Sequence, residues 1–318
     1  MSAAAVVVSV VVPTLNRPVH LGQALASVAG QRGVDPTEIE VIVVNDGGRP
    51  IGGVVTAARE RGLVIQSVTH PRRLGLPSAR NTGIEYARGR YLAFLDDDDV
   101  FLPRHLATAL AGLESGIEAV STTCLVADHR TDPQAAARDG EVWDVEFDPV
   151  LLEACNLFPV HTAVLRTVRG SEARFDPALP AVEDWDFWLR LTRRHGYRFA
   201  RLRDLTVVYH RVPHVSSMIG SVAASAAAMA RFSDLVRGLW SRWPASTPRS
   251  ARFRLYSGIM YWQVLGHLAT GHEVNPHYYL RSVQAMAHAW GEPAAEADLI
   301  DRLTQTVRAE HADDQHVA

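Results

Sequence analysis

Four carboxylates stand side by side at Asp96, Asp97, Asp98 and Asp99, directly after the apolar run YLAFL. Adjacent like charges repel, so such a run is costly unless a cation sits among them. Hard oxygen donors select magnesium or manganese, which bind through one or two carboxylates together with the phosphates of a substrate. The alternative is a solvated acidic turn or helix start, where carboxylates are also at home. A second acidic pair, Glu183 and Asp184, opens the segment EDWDFWLRL. At a helix N-terminus a carboxylate stays ionised and can serve as a general base, or simply as a cap. Asp46 ends VIVVNDGG, where Gly47 and Gly48 let the backbone approach a flat ligand. Its carboxylate suits the imide N–H of a nucleobase, or an Asx-turn closing a strand. Arg72, Arg73 and Arg80 in HPRRLGLPSARNTG can offset the charge of a diphosphate or remain solvated.

The elements that must carry these groups are legible in the hydrophobic pattern. Residues 6–12 form a β-branched run suited to a strand covered on both faces, and residues 18–31 repeat apolar side chains at helical spacing. The alternation continues with strands at 39–44, 63–68 and 91–95 and helices at 51–61 and 78–87. This order predicts an α/β domain with a parallel sheet wrapped by helices, whose ligands sit beyond the carboxyl ends of the strands. Residues 13–17, 45–48 and 96–99 follow strand ends and are the places to expect chemistry. Residues 127–140 turn polar without periodicity, a lid candidate. Trp185, Trp188 and Leu189 share a helical stripe and read as core. After residue 216 strand signals stop and helical segments follow, punctuated by Pro244, Pro248 and Pro276. The expected division is a catalytic domain over 1–215 and a helical region over 216–318, the latter shaping the acceptor side or a homodimer interface.

Composition excludes several classes. With 318 residues, 47% hydrophobic and 21% charged, the chain can bury a full core. A formal net charge of -3 supplies no field for a nucleic-acid partner. Cys124 and Cys155 show no paired spacing, which argues against a disulfide framework or zinc site and fits a cytoplasmic location. The apolar start lacks a positive n-region, and no uninterrupted apolar stretch approaches the roughly 18 residues of a transmembrane helix. A peripheral membrane contact remains compatible with the sequence. His267, His272 and His277 recur at intervals of five, which does not stack ligands on one helix face, so they read as surface or packing residues.

In order and spacing, VSVVVPTLNRP, VIVVNDGG, LPSARNTGI, YLAFLDDDD and FDPALPAVEDWDFWLRL resemble the catalytic domain of glycosyltransferase family 2 over roughly residues 6–215. The resemblance implies a GT-A fold, inversion at the anomeric carbon and Mn2+ or Mg2+ between protein and diphosphate. It implies a nucleotide diphosphate sugar donor, uridine or thymidine type, and a carbohydrate, lipid-linked or natural-product acceptor. Carried over by position, Pro13, Thr14, Asn16 and Arg17 line the nucleotide pocket, Asp46 holds the base, and Arg80 lies near base and diphosphate. Asp96 and Asp98 match the ends of the D-x-D motif, with Asp97 between them on the nucleotide side. Asp96 reaches ribose or metal, and Asp98 the metal. Asp184 matches the acidic base of the family's ED pair, with Glu183 in support. YHRVPHVSS resembles the region near the diphosphate, so that His210 or His214 contacts metal or phosphate. The Q-x-x-R-W motif of processive members is lacking, since Leu239 stands where glutamine would precede Arg242 and Trp243. One sugar per encounter is expected.

Competing readings fare worse. GGRPIGG is not the dinucleotide-binding G-x-G-x-x-G, and no P-loop sequence occurs. A sugar-nucleotide pyrophosphorylase would carry a Gly-rich, Arg-containing first loop where PTLNRP stands. A non-catalytic nucleotide-sugar-binding protein would have no need of both the acidic tetrad and the ED pair.

Overall fold

The computed structural model describes residues 5–113, 116–130, 140–211 and 222–308. The chain clusters into two compact units, Met1–Asp144 with Phe158–Val212, and Val145–Leu157 with Pro213–Ala318. The sequence reading draws a single boundary near residue 215, whereas residues 145–157 group with the C-terminal helices. Their partners explain this: Ser257 donates to the Ala154 carbonyl at 2.9 Å, the Ser246 N–H to Glu153 at 2.8 Å, and the Trp290 indole to Asp148 at 2.9 Å. Such contacts leave no mark on local composition.

In the first unit, β1 (Val8–Thr14), β2 (Ile39–Asn45), β3 (Val64–Thr69) and β4 (Tyr91–Phe94) are parallel and alternate with α1 (Pro18–Ala29), α2 (Gly52–Glu60) and α3 (Leu76–Tyr86). Every residue of β1, β2 and β4 is buried, which is why they read as continuous apolar runs rather than alternating ones. Then come β5 (Val100–Phe101), α4 (His105–Gly112), β6 (Ala119–Ala127), β7 (Glu141–Trp143), β8 (Ala163–Arg166), α5 (Glu183–Arg194) and β9 (Phe199–His210). The sheet order is β3-β2-β1-β4-β8-β6-β9-β5, with β7 paired to β6 and β8 antiparallel to both neighbours. It is a mixed, mostly parallel sheet flanked by helices. Gly83 lets α3 press onto β1, because a Cβ there would lie 2.2 Å from a Val11 methyl. Pro13 is tolerated in a central strand because β4 pairs β1 only as far as Val11, so no ladder partner loses its N–H donor.

The second unit contains α6 (Ala226–Arg242), α7 (Pro248–Ala269), α8 (Tyr278–Gly291) and α9 (Leu299–Val307). Buried Met229, Ser233, Val236 and Leu239 on α6 and Phe253, Met260 and Val264 on α7 keep helical spacing, so each helix buries one stripe. A reciprocal Thr247–Ser250 capping box starts α7. Among the described residues no helix is long and apolar enough to cross a membrane.

Candidate functional site

Parallel register brings the ends of β1, β2 and β4 to one edge of the sheet, with Thr14 opposite Asn45 and Val11 opposite Phe94. The loops beyond them are tightly tied. Asn16 adopts a left-handed φ of 59°, and its side-chain oxygen accepts from the Arg49 N–H at 2.8 Å. Asparagine tolerates that region because its short amide bonds locally. Gly47 has φ 74°, and a Cβ there would lie 2.3 Å from the Arg72 backbone. The exposed Arg72–Arg73 segment therefore lies directly against this turn.

Asp46 is almost fully buried. Its Oδ1 accepts from His70 Nδ1 and the Leu74 N–H, both at 2.8 Å, and its Oδ2 from the Gly75 N–H at 2.8 Å. Burial opposes ionisation, but these donors outweigh it and hold the carboxyl below its ordinary range. Asp46 is thus the knot joining the β2 turn to the loop that enters α3. A carboxylate accepts about four hydrogen bonds, so three leave capacity for a base imide.

The tetrad is not a solvated acidic turn, nor is it bare of cations as its local sequence suggests. Asp97 is buried, accepting from the Thr14 hydroxyl at 2.7 Å and from Arg17 at 3.2 Å. Burial pushes its pKa up to about 6. Asp98 pairs with Arg17 at 2.7 Å, and its carbonyl accepts from Arg130 and from His210 Nδ1, the latter at 2.8 Å. Asp99, 1% exposed, accepts the His210 N–H at 2.8 Å and faces His161 Nδ1 at 3.0 Å. Burial raises Asp99 to about 7. Burial alone would lower His161, yet the Asp99 charge wins and lifts it to about 10. Asp96 pairs with Arg80 at 2.7 Å. The neutralising groups come from the turn after β1, from α3, from the turn after β6 and from the turn before β8, none of them next to the tetrad in sequence.

Arg80 also donates to Glu183 at 2.7 Å, and its guanidinium lies 5.4 Å from the Phe175 ring centre. It therefore ties the acidic end of β4 to the first turn of α5. Burial raises Glu183, while Arg80 opposes that shift. Val182, at the N-cap of α5, has φ 59°. For a β-branched residue this is strained backbone, of a kind that persists where surrounding structure fixes a functional geometry. Asp184, next in line, is partly exposed and accepts the Trp185 N–H at 2.8 Å. Trp185, Trp188 and Leu189 are buried, and Trp188 packs against Phe158 and Phe199.

The donor set suits a hard divalent ion. Asp96 and Asp98 keep side-chain exposures of 27% and 17%, and His210 is held neutral by burial, with a pKa lowered to about 4. Donation from its Nδ1 to the Asp98 carbonyl fixes the tautomer that places the lone pair on Nε2, the usual arrangement of a ligating imidazole. Asp96, Asp99 and His161 also bring ligand atoms within 4.8 Å of one another, but the contact between the latter two is an ion pair. His214, and residues 131–139 of the lid candidate, lie outside the described residues. Sequence reasoning passed over His70, Arg130 and His161. A lone histidine in FPVHTAVLR carries no motif, and only the question of what neutralises Asp99 would have led to it.

Comparison with known proteins agrees with this architecture. TarS 1-349 from S. aureus, solved in complex with UDP-GlcNAc, superposes with a TM-score of 0.52 at 17% identity, covering 94% of this chain and 90% of that one. The mannosyltransferase PcManGT from Pyrobaculum calidifontis, in complex with GDP-Man and Mn2+, gives 0.58 at 18% identity, covering 94% and 85%. The fold is that of the GT-A glycosyltransferases. The model of glycosyl transferase family 2 matches residues 9–157. An uncharacterized glycosyltransferase of Bacillus subtilis (strain 168), YwdF, is 26% identical over 204 residues, 64% of this chain and 73% of that protein. The protein is a glycosyltransferase, and its likeness to family 2 lies in residues 9–157.

Proposed function

We propose that this protein is an inverting, non-processive glycosyltransferase that moves a sugar from a uridine or thymidine diphosphate donor to an acceptor hydroxyl, with a divalent cation at Asp98 and Asp96. The observation that carries this reading is the double ion pair of Arg80, which joins the acidic end of β4 to the ED pair on α5. Groups suited to the diphosphate and a group suited to the acceptor proton thereby share one edge of the sheet.

In this reading Thr14, Asn16, Arg17 and Asp46 line the nucleoside side, and Arg17 faces the diphosphate from its place beside Asp97 and Asp98. Asp98, Asp96 and His210 would hold the cation, which when bound would supply positive charge to offset that growing on the leaving diphosphate. Asp184 accepts the proton of the acceptor hydroxyl while that oxygen bonds to the anomeric carbon from the face opposite the departing phosphate oxygen. The bond to phosphate breaks with its electron pair on the diphosphate, and configuration inverts. Glu183, held by Arg80, orients the first turn of α5. The two buried free cysteines and the lack of a spanning helix among the described residues support a cytoplasmic enzyme with at most peripheral membrane contact.

Calorimetric titration with uridine, thymidine and guanosine diphosphates, with and without manganese, tests the donor class. Manganese-dependent binding of a pyrimidine diphosphate is expected. Tighter binding of guanosine diphosphate overturns the choice of base, a live outcome given that the two GT-A neighbours differ in donor.

A further inference from the structure

We infer that His161 is a positioning residue that acts through Asp99 to hold the Asp98 main chain and the His210 ring in register at the diphosphate end of the site. The inference rests on the metal-assisted reading above. His161 and Asp99 are each 1% exposed, and the contacts the structure gives them are to groups of the protein itself.

The two oxygens of Asp99 are divided between two elements. Oδ1 accepts the main-chain N–H of His210, the last residue of β9, and Oδ2 faces His161 Nδ1 on the short turn Val160–Thr162. The His210 ring returns to the Asp98 carbonyl. Asp98, Asp99 and His210 thus form a closed hydrogen-bonded junction, braced from outside by His161. The next residue, Val100, enters β5 and pairs with Val208 of β9, so the chain has no slack between the tetrad and that strand. The His161 ring packs 4.9 Å from Tyr209, with the Cys124 thiol beside it. Without the imidazole nitrogen 3.0 Å away, the buried Asp99 carboxylate would lose its ion-pair partner, and turning toward another would release the His210 N–H. Groups that orient ligands in this way commonly change metal affinity by about 10–100-fold when removed.

Two amides separate this role from simple filling of space. The asparagine nitrogen overlies His Nδ1, whereas the glutamine nitrogen overlies His Nε2. Uridine diphosphate binding to the full-length protein, measured by calorimetry with and without manganese, should survive in His161→Asn within about threefold. In His161→Gln the manganese-dependent affinity should fall by about tenfold or more, with manganese-free affinity unchanged. Equal losses in the two variants, or a glutamine variant that binds like wild type, overturn the inference. Should His161→Gln not fold, the double variant Asp99→Leu with His161→Leu leaves no buried charge unpaired and carries the test. It must lose manganese-dependent affinity, and wild-type binding in it overturns the inference. A wild-type protein indifferent to manganese overturns the metal-assisted reading and this inference with it, while a dependent wild type with indifferent variants overturns this inference alone.

Discussion

Arg80 on α3 and Glu183 at the start of α5 stand 103 residues apart in the chain and meet at 2.7 Å, with side chains 2% and 5% exposed. The same guanidinium reaches Asp96. One arginine thus fixes the distance between the two acidic motifs, and its planar fork makes this possible where a lysine would offer a single point of charge. Arg80, which the family resemblance places near base and diphosphate, also braces these two carboxylates.

Removing one partner of a buried pair leaves the other uncompensated, which typically costs about 3–5 kcal/mol, whereas removing both is far milder. Arg80→Met should therefore lose stability in that range by urea denaturation. Combining it with Glu183→Leu should return part of the loss. Strict additivity in this double-mutant cycle would show that the pair carries no coupling.

Asp98 and Asp97 should behave differently despite adjacency. Asp98→Ala should lose manganese-dependent activity and the manganese dependence of nucleotide binding, as should wild type in excess chelator. Asp97 is pinned by Thr14 and Arg17, so Asp97→Asn should chiefly weaken nucleotide binding. Full turnover in chelator would reduce the tetrad to a structural turn.

The parallel half of the sheet was readable because strands buried on both faces must be apolar throughout, as β1, β2 and β4 are. The acidic clusters were readable because each is contiguous in the chain, four carboxylates at 96–99 and two at 183–184. Their counter-charges were not: Arg17, Arg80, Arg130 and His161 approach from 16 to 81 positions away, through tertiary packing. Asp46 illustrates the same limit. Sequence shows a carboxylate after a strand, and only the fold shows that His70, Leu74 and Gly75 already use three of its acceptor positions. The excursion of residues 145–157 into the helical unit was invisible for the same reason.

Acid should destabilise the protein partly through His105. It is fully buried, bonds Thr206 at 2.9 Å, and burial lowers its pKa from 6.5 to about 3. The unfolded chain therefore binds a proton that the native state refuses between these values. Stability from this group is complete above pH 6.5 and falls by up to about 1.4 kcal/mol per unit as pH drops toward 3. His105→Asn should show a shallower decline in urea midpoint over that window. An identical slope in the two proteins would assign acid sensitivity elsewhere.

Asp184 is the proposed general base. It stands in the first turn of α5, where the helix dipole favours the ionised form, beside the strained Val182 and the braced Glu183. Unlike Glu183 it is partly exposed, as a group that must meet an acceptor has to be. Asp184→Asn preserves size and can still accept the Trp185 N–H, but it cannot take a proton. Loss of general-base assistance typically costs about 10²–10⁴-fold, so turnover should fall by that factor while donor affinity and melting temperature stay near wild type. Glu183→Gln should instead show its main effect on melting temperature, because its Arg80 contact is structural. If Asp184→Asn turns over normally, or loses donor binding along with activity, Asp184 is a cap or a donor contact and the base lies elsewhere on this edge of the sheet.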